Sequence, residues 1–245
     1  MRGAIIYVHP FAEEMNKARR MAALQSRSMA QAGYAVLQID LLGCGDSAGD
    51  FSDATWLAWQ ADVQLAYRWL RKQTQVPLTL WGLRVGCLIV ASAAVNLPER
   101  VNFIFWQPTI SGKHYWQQFI RLKMAGELAS GRAKGITEQL RRQLAAGEPV
   151  EISGYKVSAS LAEGLEAAEL EPPACGDGQV IWLEASMRDE ATFTPVSLKR
   201  IERWQAAGYM VNATMVRGPA FWQTSEIEYA PELIAATQEA LVLLV

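Results

Sequence analysis

The strongest constraint on this chain is a fourfold alternation of short apolar runs with helical stretches, joined by short links. Continuous apolar runs, such as those at 4–9 and 101–106, are typical of strands that are buried on both faces of a sheet. The helical stretch that follows Asp53 places Trp56 and Trp59 on an apolar stripe. Because such alternation indicates a parallel sheet with right-handed crossovers and helices on both faces, the sequence predicts an α/β fold.

The alternation is interrupted between residues 109 and 173, and the pair Pro172-Pro173 marks the point at which it resumes. We therefore predict a core at 1–108 and 174–245, with a mainly helical cap inserted at 109–173. Within the insertion, the pattern predicts helices at 114–129, 136–146 and 160–170. It also predicts a small hairpin at 151–157.

The composition excludes several classes of partner and site. A formal net charge of −2, from 23 basic and 25 acidic residues, indicates no nucleic-acid partner. No apolar run approaches the roughly 20 residues that a membrane span needs, so we expect no membrane span and a cytoplasmic location. The three cysteines lie far apart and the two histidines add no zinc-like spacing. We therefore expect neither a metal nor another cofactor.

One motif is typical of catalysis but lacks the reactive residue. The segment Gly82-Leu83-Arg84-Val85-Gly86 lies between a strand-like run and a helical stretch, as a G-x-S-x-G nucleophile elbow does. Its glycines permit a strained turn against neighbouring backbone. The central residue is Arg84, whose protonated guanidinium has no lone pair with which to attack a carbonyl. The sequence therefore predicts an elbow without its nucleophile.

With these residues the chain resembles the α/β-hydrolase superfamily over nearly its full length. His9-Pro10 is similar to the family's His-Gly, the loop at 40–47 to its D-x-x-G-x-G-x-S motif, and the insertion lies where the family has its cap. The resemblance implies a mostly parallel sheet with helices on both faces and an inserted, mainly helical cap. The family's two N-terminal strands have no counterpart in this sequence.

More narrowly, five blocks resemble the exosortase A system-associated hydrolase 2 family. The name of that family implies hydrolysis as the activity. The resemblance also implies that the gene lies beside genes of PEP-CTERM, exosortase and exopolysaccharide functions, and that a second hydrolase is a possible partner. The blocks are HPFAEEMNKARRM, LQIDLLGCGDSAGDF, WGLRVGC, FWQPTISGKHYWQQFIRLKMA and FWQTSEIEYAPELIAAT.

The resemblance assigns positions to a catalytic triad. The nucleophile position holds Arg84, and the acid position is best matched by Asp189. The loop that carries the family's base histidine contains Ala220, and no histidine follows residue 114. Only an acid and an oxyanion hole, formed by amides near Phe11 and Val85, would remain. Hydrolysis by a Ser-His route is therefore not expected.

Two interpretations of Arg84 remain open. Its charge at a helix N-terminus is unfavourable unless an anion lies beside it. That anion is either internal, from Glu13, Glu14 or Asp189, or it belongs to a bound carboxylate or phosphate. The candidate ligand-binding residues are Phe11, Val85, Glu13, Glu14, Trp106 and Trp222.

Cys87 and His9 offer a different route to catalysis. Cys87 lies one turn beyond Arg84 and is an alternative nucleophile, and His9 is an alternative base at a strand end. Core packing is the competing interpretation of both residues.

Three functions follow from these alternatives. The first is a protein with a degenerate triad that binds a small acidic or acyl ligand, or a partner hydrolase. The second is an ester or thioester hydrolase, or an acyltransferase, that uses non-standard residues. The third is a structural interaction protein with a tryptophan-rich contact surface.

Overall fold

The computed structural model describes residues 1–129, 135–174, 177–224 and 226–244, with the backbone alone for 122–129. The chain forms two compact units. The sheet unit comprises Met1–Ile39, Val63–Ile110 and Leu170–Val245, and the helical unit comprises Asp40–Asp62 and Ser111–Glu169. Within the described residues, no helix has both the length and the apolar character that a membrane crossing requires.

The sheet unit contains six strands in the order β2-β1-β3-β4-β7-β8, and every neighbouring pair is parallel. This arrangement confirms the predicted α/β fold. Its strands are β1 (Gly3–Val8), β2 (Tyr34–Ile39), β3 (Leu78–Leu83), β4 (Asn102–Trp106), β7 (Gln179–Ser186) and β8 (Met210–Arg217). The helices that follow these strands are α1 (Glu13–Gln31), α2 (Trp56–Gln73), α3 (Val85–Ala94), α7 (Pro195–Ala206) and α8 (Pro231–Ala240).

The core of the sheet unit is built around aromatic side chains. Strands β1 and β3 are buried along their whole length, which explains their unbroken apolar runs. The ring centroids of Trp81 and Trp106 lie 4.8 Å apart, and those of Trp106 and Phe221 lie 6.2 Å apart, both edge to face. The indole of Trp106 donates a hydrogen bond to Thr237 Oγ1 at 3.0 Å, so its polar atom is satisfied within the core.

The helical unit contains the three helices and the hairpin expected between 109 and 173. Its elements are α4 (Gly112–Ala129), α5 (Ile136–Ala145), the antiparallel pair β5 (Val150–Ile152) and β6 (Tyr155–Val157), and α6 (Ala159–Ala167). Ser158 caps α6 by accepting a hydrogen bond from the Leu161 amide.

Residues 40–62 also belong to the helical unit, whereas the sequence-based division places them in the core. Ser158 Oγ donates to the Ala54 carbonyl at 2.6 Å, and the rings of Phe51 and Tyr155 lie 5.1 Å apart. These contacts join positions about a hundred residues apart, and no local pattern reveals them. The extent of the cap remains a prediction.

Two glycines allow close packing inside the helical unit. A Cβ atom at Gly112 would lie 1.8 Å from the Leu165 carbonyl oxygen, and one at Gly164 would lie 2.1 Å from Trp56 Cβ. Since real Cβ atoms do not approach so closely, any larger residue at either position forces the helices apart.

We expect Gly164→Ala to lower the free energy of unfolding by about 1–3 kcal/mol through overpacking against Trp56. The sign of this change in unfolding free energy is informative, because helix propensity alone favours alanine over glycine in a helix interior by about 1 kcal/mol. Urea unfolding monitored by circular dichroism measures the change. Glu163→Ala, at an exposed neighbouring position, is the matched control, and a stabilised Gly164→Ala protein would contradict the packing.

Candidate functional site

The turn between β3 and α3 has the strained backbone of a nucleophile elbow. Arg84 adopts φ 57° and ψ −118°, which is uncommon for a residue other than glycine. A Cβ atom at Gly82 would lie 2.5 Å from the Cys87 nitrogen, and one at Gly86 would lie 2.4 Å from the Val8 carbonyl oxygen. Both glycines are therefore required by close backbone approach, as the motif predicts.

The guanidinium of Arg84 is paired inside the protein. Its Nη2 lies 3.2 Å from Glu14 Oε1, and its Nε lies 3.3 and 3.4 Å from the two carboxylate oxygens. The side chains are 14% and 4% exposed, respectively. The Trp222 ring covers the cation, with its centroid 5.6 Å from Arg84 Cζ. Of the three internal partners considered from the sequence, Glu14 makes the ion pair.

Opposing effects act on the carboxyl group of Glu14. Burial is the largest effect and raises its pKa, whereas the Arg84 charge and hydrogen bond lower it. The nearby Glu13 carboxylate raises the pKa again, and a hydrogen bond from the Gln223 side chain lowers it. The outcome is a pKa above the ordinary glutamate value. The pair therefore compensates only part of the cost of burying a carboxylate.

The loop that follows β1 lies against the elbow. A Cβ atom at Gly86 would come within 2.8 Å of the His9 carbonyl oxygen, so the backbones of the loop and of α3 are in contact. His9 is buried, and its Nδ1 lies 2.7 Å from the Pro10 carbonyl oxygen. Phe11 is buried as well, and Ala12, the N-cap residue of α1, has φ 49°. The amide of Val85 belongs to the first turn of α3, where amides have no acceptor within the helix.

Three buried polar atoms near this site have no partner in the part of the chain that the structure describes. They are Glu13 Oε2, Thr109 Oγ1 and Trp222 Nε1. Glu13 is adjacent to Glu14, and the Thr109 amide donates to the Arg84 carbonyl at 3.2 Å. Thr109 was missed at the sequence level, because it belongs to no motif and only the packing of β4 beside β3 brings it to the elbow.

The loop that follows β8 supplies Trp222 and Gln223 where the resemblance places a base. Gln223 closes a turn by donating its amide to the Ala220 carbonyl at 2.8 Å. Lys17 Nζ donates to the Gln223 carbonyl at 3.2 Å and so ties the loop to α1. The contact of Gln223 with Glu14 was not foreseen from the sequence, since the loop and α1 are distant along the chain.

Asp189 lies at the surface after β7. Its side chain is 86% exposed, and its Oδ1 lies 3.4 Å from Arg217 Nη1. Both residues line a surface pocket of about 230 Å³. No contact in the described ranges joins Asp189 to Arg84, so the structure does not bring the acid position to the ion pair.

Cys87 and Trp106 lie in the core beside the elbow. Both side chains are fully buried, and the Cys87 thiol lies 3.8 Å from the Trp106 carbonyl oxygen. Burial raises the pKa of Cys87 well above the ordinary thiol value. The thiol is therefore neutral near pH 7, the form that is a poor nucleophile.

The described residues contain no cluster of three histidine, cysteine or acidic side chains that could hold a metal ion. The polar groups that remain at the elbow are helix amides, an indole, a hydroxyl and a carboxylate. They are suited to hydrogen bonding and lack a nucleophile with an adjacent base.

Solved structures with similar folds are α/β hydrolases. Est1E from Butyrivibrio proteoclasticus, in a structure with bound ferulic acid, has a TM-score of 0.62 at 14% identity, over 99% of this chain and 88% of that chain. Mouse α/β hydrolase domain-containing protein 10 has a TM-score of 0.59 at 18% identity, over 99% of this chain and 90% of that chain. An α/β serine hydrolase without a lid, from Xanthomonas campestris, has a TM-score of 0.53 at 14% identity, over 98% of this chain and 79% of that chain.

These similarities confirm the α/β-hydrolase fold and, at such low identity, concern the fold alone. No curated protein sequence gives a significant match. The model of the family described as serine aminopeptidase, S33, matches residues 1–156, which is more than half of the chain. With its parallel sheet and its elbow turn between β3 and α3, the chain belongs to the S33 family of α/β hydrolases.

Proposed function

We propose that this protein binds a small acyl ligand at the elbow and does not cleave it by a Ser-His route. The observation that carries the proposal is Arg84, which occupies the nucleophile position and forms an ion pair with Glu14. A guanidinium that is always protonated and already bonded cannot attack a carbonyl. The family relationship supplies the fold and the oxyanion-hole backbone, and the side chains determine the use of the site.

The absence of a base supports the same proposal. The sequence has two histidines, of which His114 is exposed on α4 and His9 is bonded to the Pro10 carbonyl. The loop after β8 presents Trp222 to Arg84 instead of an imidazole. A hydrolase stripped of nucleophile and base retains only about 10³–10⁴-fold acceleration from its oxyanion hole and binding, which is far below useful turnover of a stable ester.

The charge at the elbow favours a neutral acyl group over an acid. Glu14 already compensates the Arg84 cation, and Glu13 adds a second carboxylate beside the pair. An acidic ligand would meet this excess negative charge. A neutral carbonyl can instead accept a hydrogen bond from the Trp222 indole or the Thr109 hydroxyl. Both donors are buried without a hydrogen-bond partner in the part of the chain that the structure describes, and a buried donor without a partner is costly.

The narrower sequence resemblance extends the proposal to a biological setting. Membership of the exosortase A system-associated hydrolase 2 family would place this binding function beside PEP-CTERM sorting and exopolysaccharide production. A second hydrolase is then the natural macromolecular partner, and it would use or release the bound acyl compound.

The alternative function is an ester or thioester hydrolase with non-standard residues. It would need Cys87 as nucleophile and His9 as base. Cys87 is fully buried with a raised pKa, and His9 Nδ1 lies within bonding distance of the Pro10 carbonyl. Both observations favour core packing and weigh against this alternative.

We expect no protein-dependent hydrolysis of p-nitrophenyl esters or acyl thioesters of any chain length. Absorbance assays at pH 7–8 measure it, with Arg84→Ala and heat-unfolded protein as controls. Turnover above about 1 s⁻¹, which is within the usual enzymatic range, would contradict the proposal.

We expect octanamide, a neutral acyl probe, to raise the melting temperature of the protein, with a shift that grows logarithmically once its free concentration exceeds Kd. Thr109→Val removes the hydroxyl donor at nearly constant volume, and Trp222→Phe removes the indole N–H while keeping an aromatic ring. Each should weaken octanamide binding about fivefold, since a hydrogen bond contributes about 1 kcal/mol. Trp69→Phe, at an exposed tryptophan on α2, is the matched control. If octanoate bound more tightly than octanamide, and if Arg84→Met abolished this preference, the result would instead support an acidic ligand.

We expect Cys87 to resist iodoacetamide in the folded protein between pH 7 and 9. Its raised pKa keeps the thiol protonated across this range, and burial excludes the reagent. Peptide mapping by mass spectrometry measures the modification, and unfolding in urea serves as the positive control. Rapid labelling that rises with pH in the native state would revive the alternative nucleophile.

A further inference from the structure

A second cavity, unrelated to the elbow, lies within the helical unit. It has a volume of about 400 Å³, opens to solvent and is lined by α4, α5 and α6. This volume falls within the 300–1,000 Å³ that small-molecule sites usually occupy. The cavity is large enough for a ligand, and no part of the proposed function uses it.

The floor of the cavity is apolar. Trp116 and Ile120 contribute to it from α4, Leu140 and Leu144 from α5, and Ala162 from α6. All but Leu144 are buried in the fold. Apolar side chains from three helices thus line the cavity, and contact with a hydrocarbon chain is favourable by about 0.8 kcal/mol for each buried methylene group.

Four charged side chains line the rim: Arg121, Arg141, Glu163 and Glu166. All four are exposed, and none makes an ion pair or hydrogen bond with another described residue. Among the described residues, no ion pair compensates these charges, and their exposure makes them accessible to a ligand.

The cations and the carboxylates of the rim belong to different helices. The close approach of Gly112 to Leu165 places the start of α4 beside the end of α6, next to Glu166. Arg121 lies nine residues further along α4, about 13 Å along the helix axis at 1.5 Å per residue. Arg141 approaches from α5, so the two guanidinium groups belong to different walls, whereas both glutamates lie on α6.

We propose that this cavity binds a linear amphiphile with an anionic head, namely a carboxylate or a phosphate on a hydrocarbon chain. The chain lies on the floor formed around Trp116 and Leu140. The head binds to Arg121 and Arg141, which line the same cavity from α4 and α5 and offer paired guanidinium donors to an oxyanion. The proposal does not depend on the function of the elbow.

Isothermal titration calorimetry with dodecanoate and with dodecyl phosphate, each below its micellar concentration, tests the proposal. We expect saturable binding of one molecule, and about tenfold weaker binding in Arg141→Gln. Arg142→Gln is the matched control, because Arg142 is the exposed neighbour that pairs with Glu138 and does not line the cavity. The ratio of the two affinities distinguishes a fatty acid from a phosphate-headed ligand.

Two further arms separate this site from the elbow and from a non-specific surface. Trp222→Phe and Thr109→Val should leave dodecanoate binding unchanged, whereas a loss there would assign the amphiphile to the elbow and overturn the proposal. Dodecyltrimethylammonium, the same tail with a cationic head, should bind at least tenfold more weakly. Equal binding of both heads, equal affinity of Arg141→Gln and Arg142→Gln, or no binding at all would also overturn it.

Discussion

The close approach of α3 to the end of β1 is the contact on which the elbow depends. The Val8 carbonyl lies where a side chain at residue 86 would begin, so the helix reaches the strand only because that residue is glycine. The Arg84 amide then donates to the Trp106 carbonyl at 3.0 Å and holds the turn at positive φ. A strained turn of this kind persists where surrounding structure determines it, and here the framework persists without the nucleophile it ordinarily presents.

The side chains around that framework form a different arrangement from a triad. Arg84 from the elbow contacts both Glu14 from α1 and Trp222 from the loop after β8 in a largely buried cluster. Breaking such a pair leaves an uncompensated buried charge, which is more costly than either exposed charge would be. Loss of either charge would therefore be unfavourable, and the Trp222 indole and the Thr109 hydroxyl beside the cluster have no hydrogen-bond partner among the described residues.

Much of this could be predicted from local patterns, and some of it could not. The alternation of strands and helices, the elbow glycines and the arginine between them are all local features, and the structure contains each. Glu14 was one of three possible partners for Arg84, since the sequence shows an acidic residue early in α1 but not where its side chain points. Thr109 and Gln223 carried no signal at all, because they reach the elbow only through sheet order and loop closure.

The sequence by itself determined the α/β class, the position of the elbow and the loss of serine and histidine from it, because these follow from periodicity, turn chemistry and residue identity. Tertiary structure decided which carboxylate neutralises Arg84, that Asp189 pairs with Arg217 at the surface, and that Cys87 is buried with a raised pKa. It also decided that three helices of one unit line a cavity with an apolar floor and a charged rim. Such properties depend on distances between residues far apart along the chain, and local sequence patterns do not encode those distances.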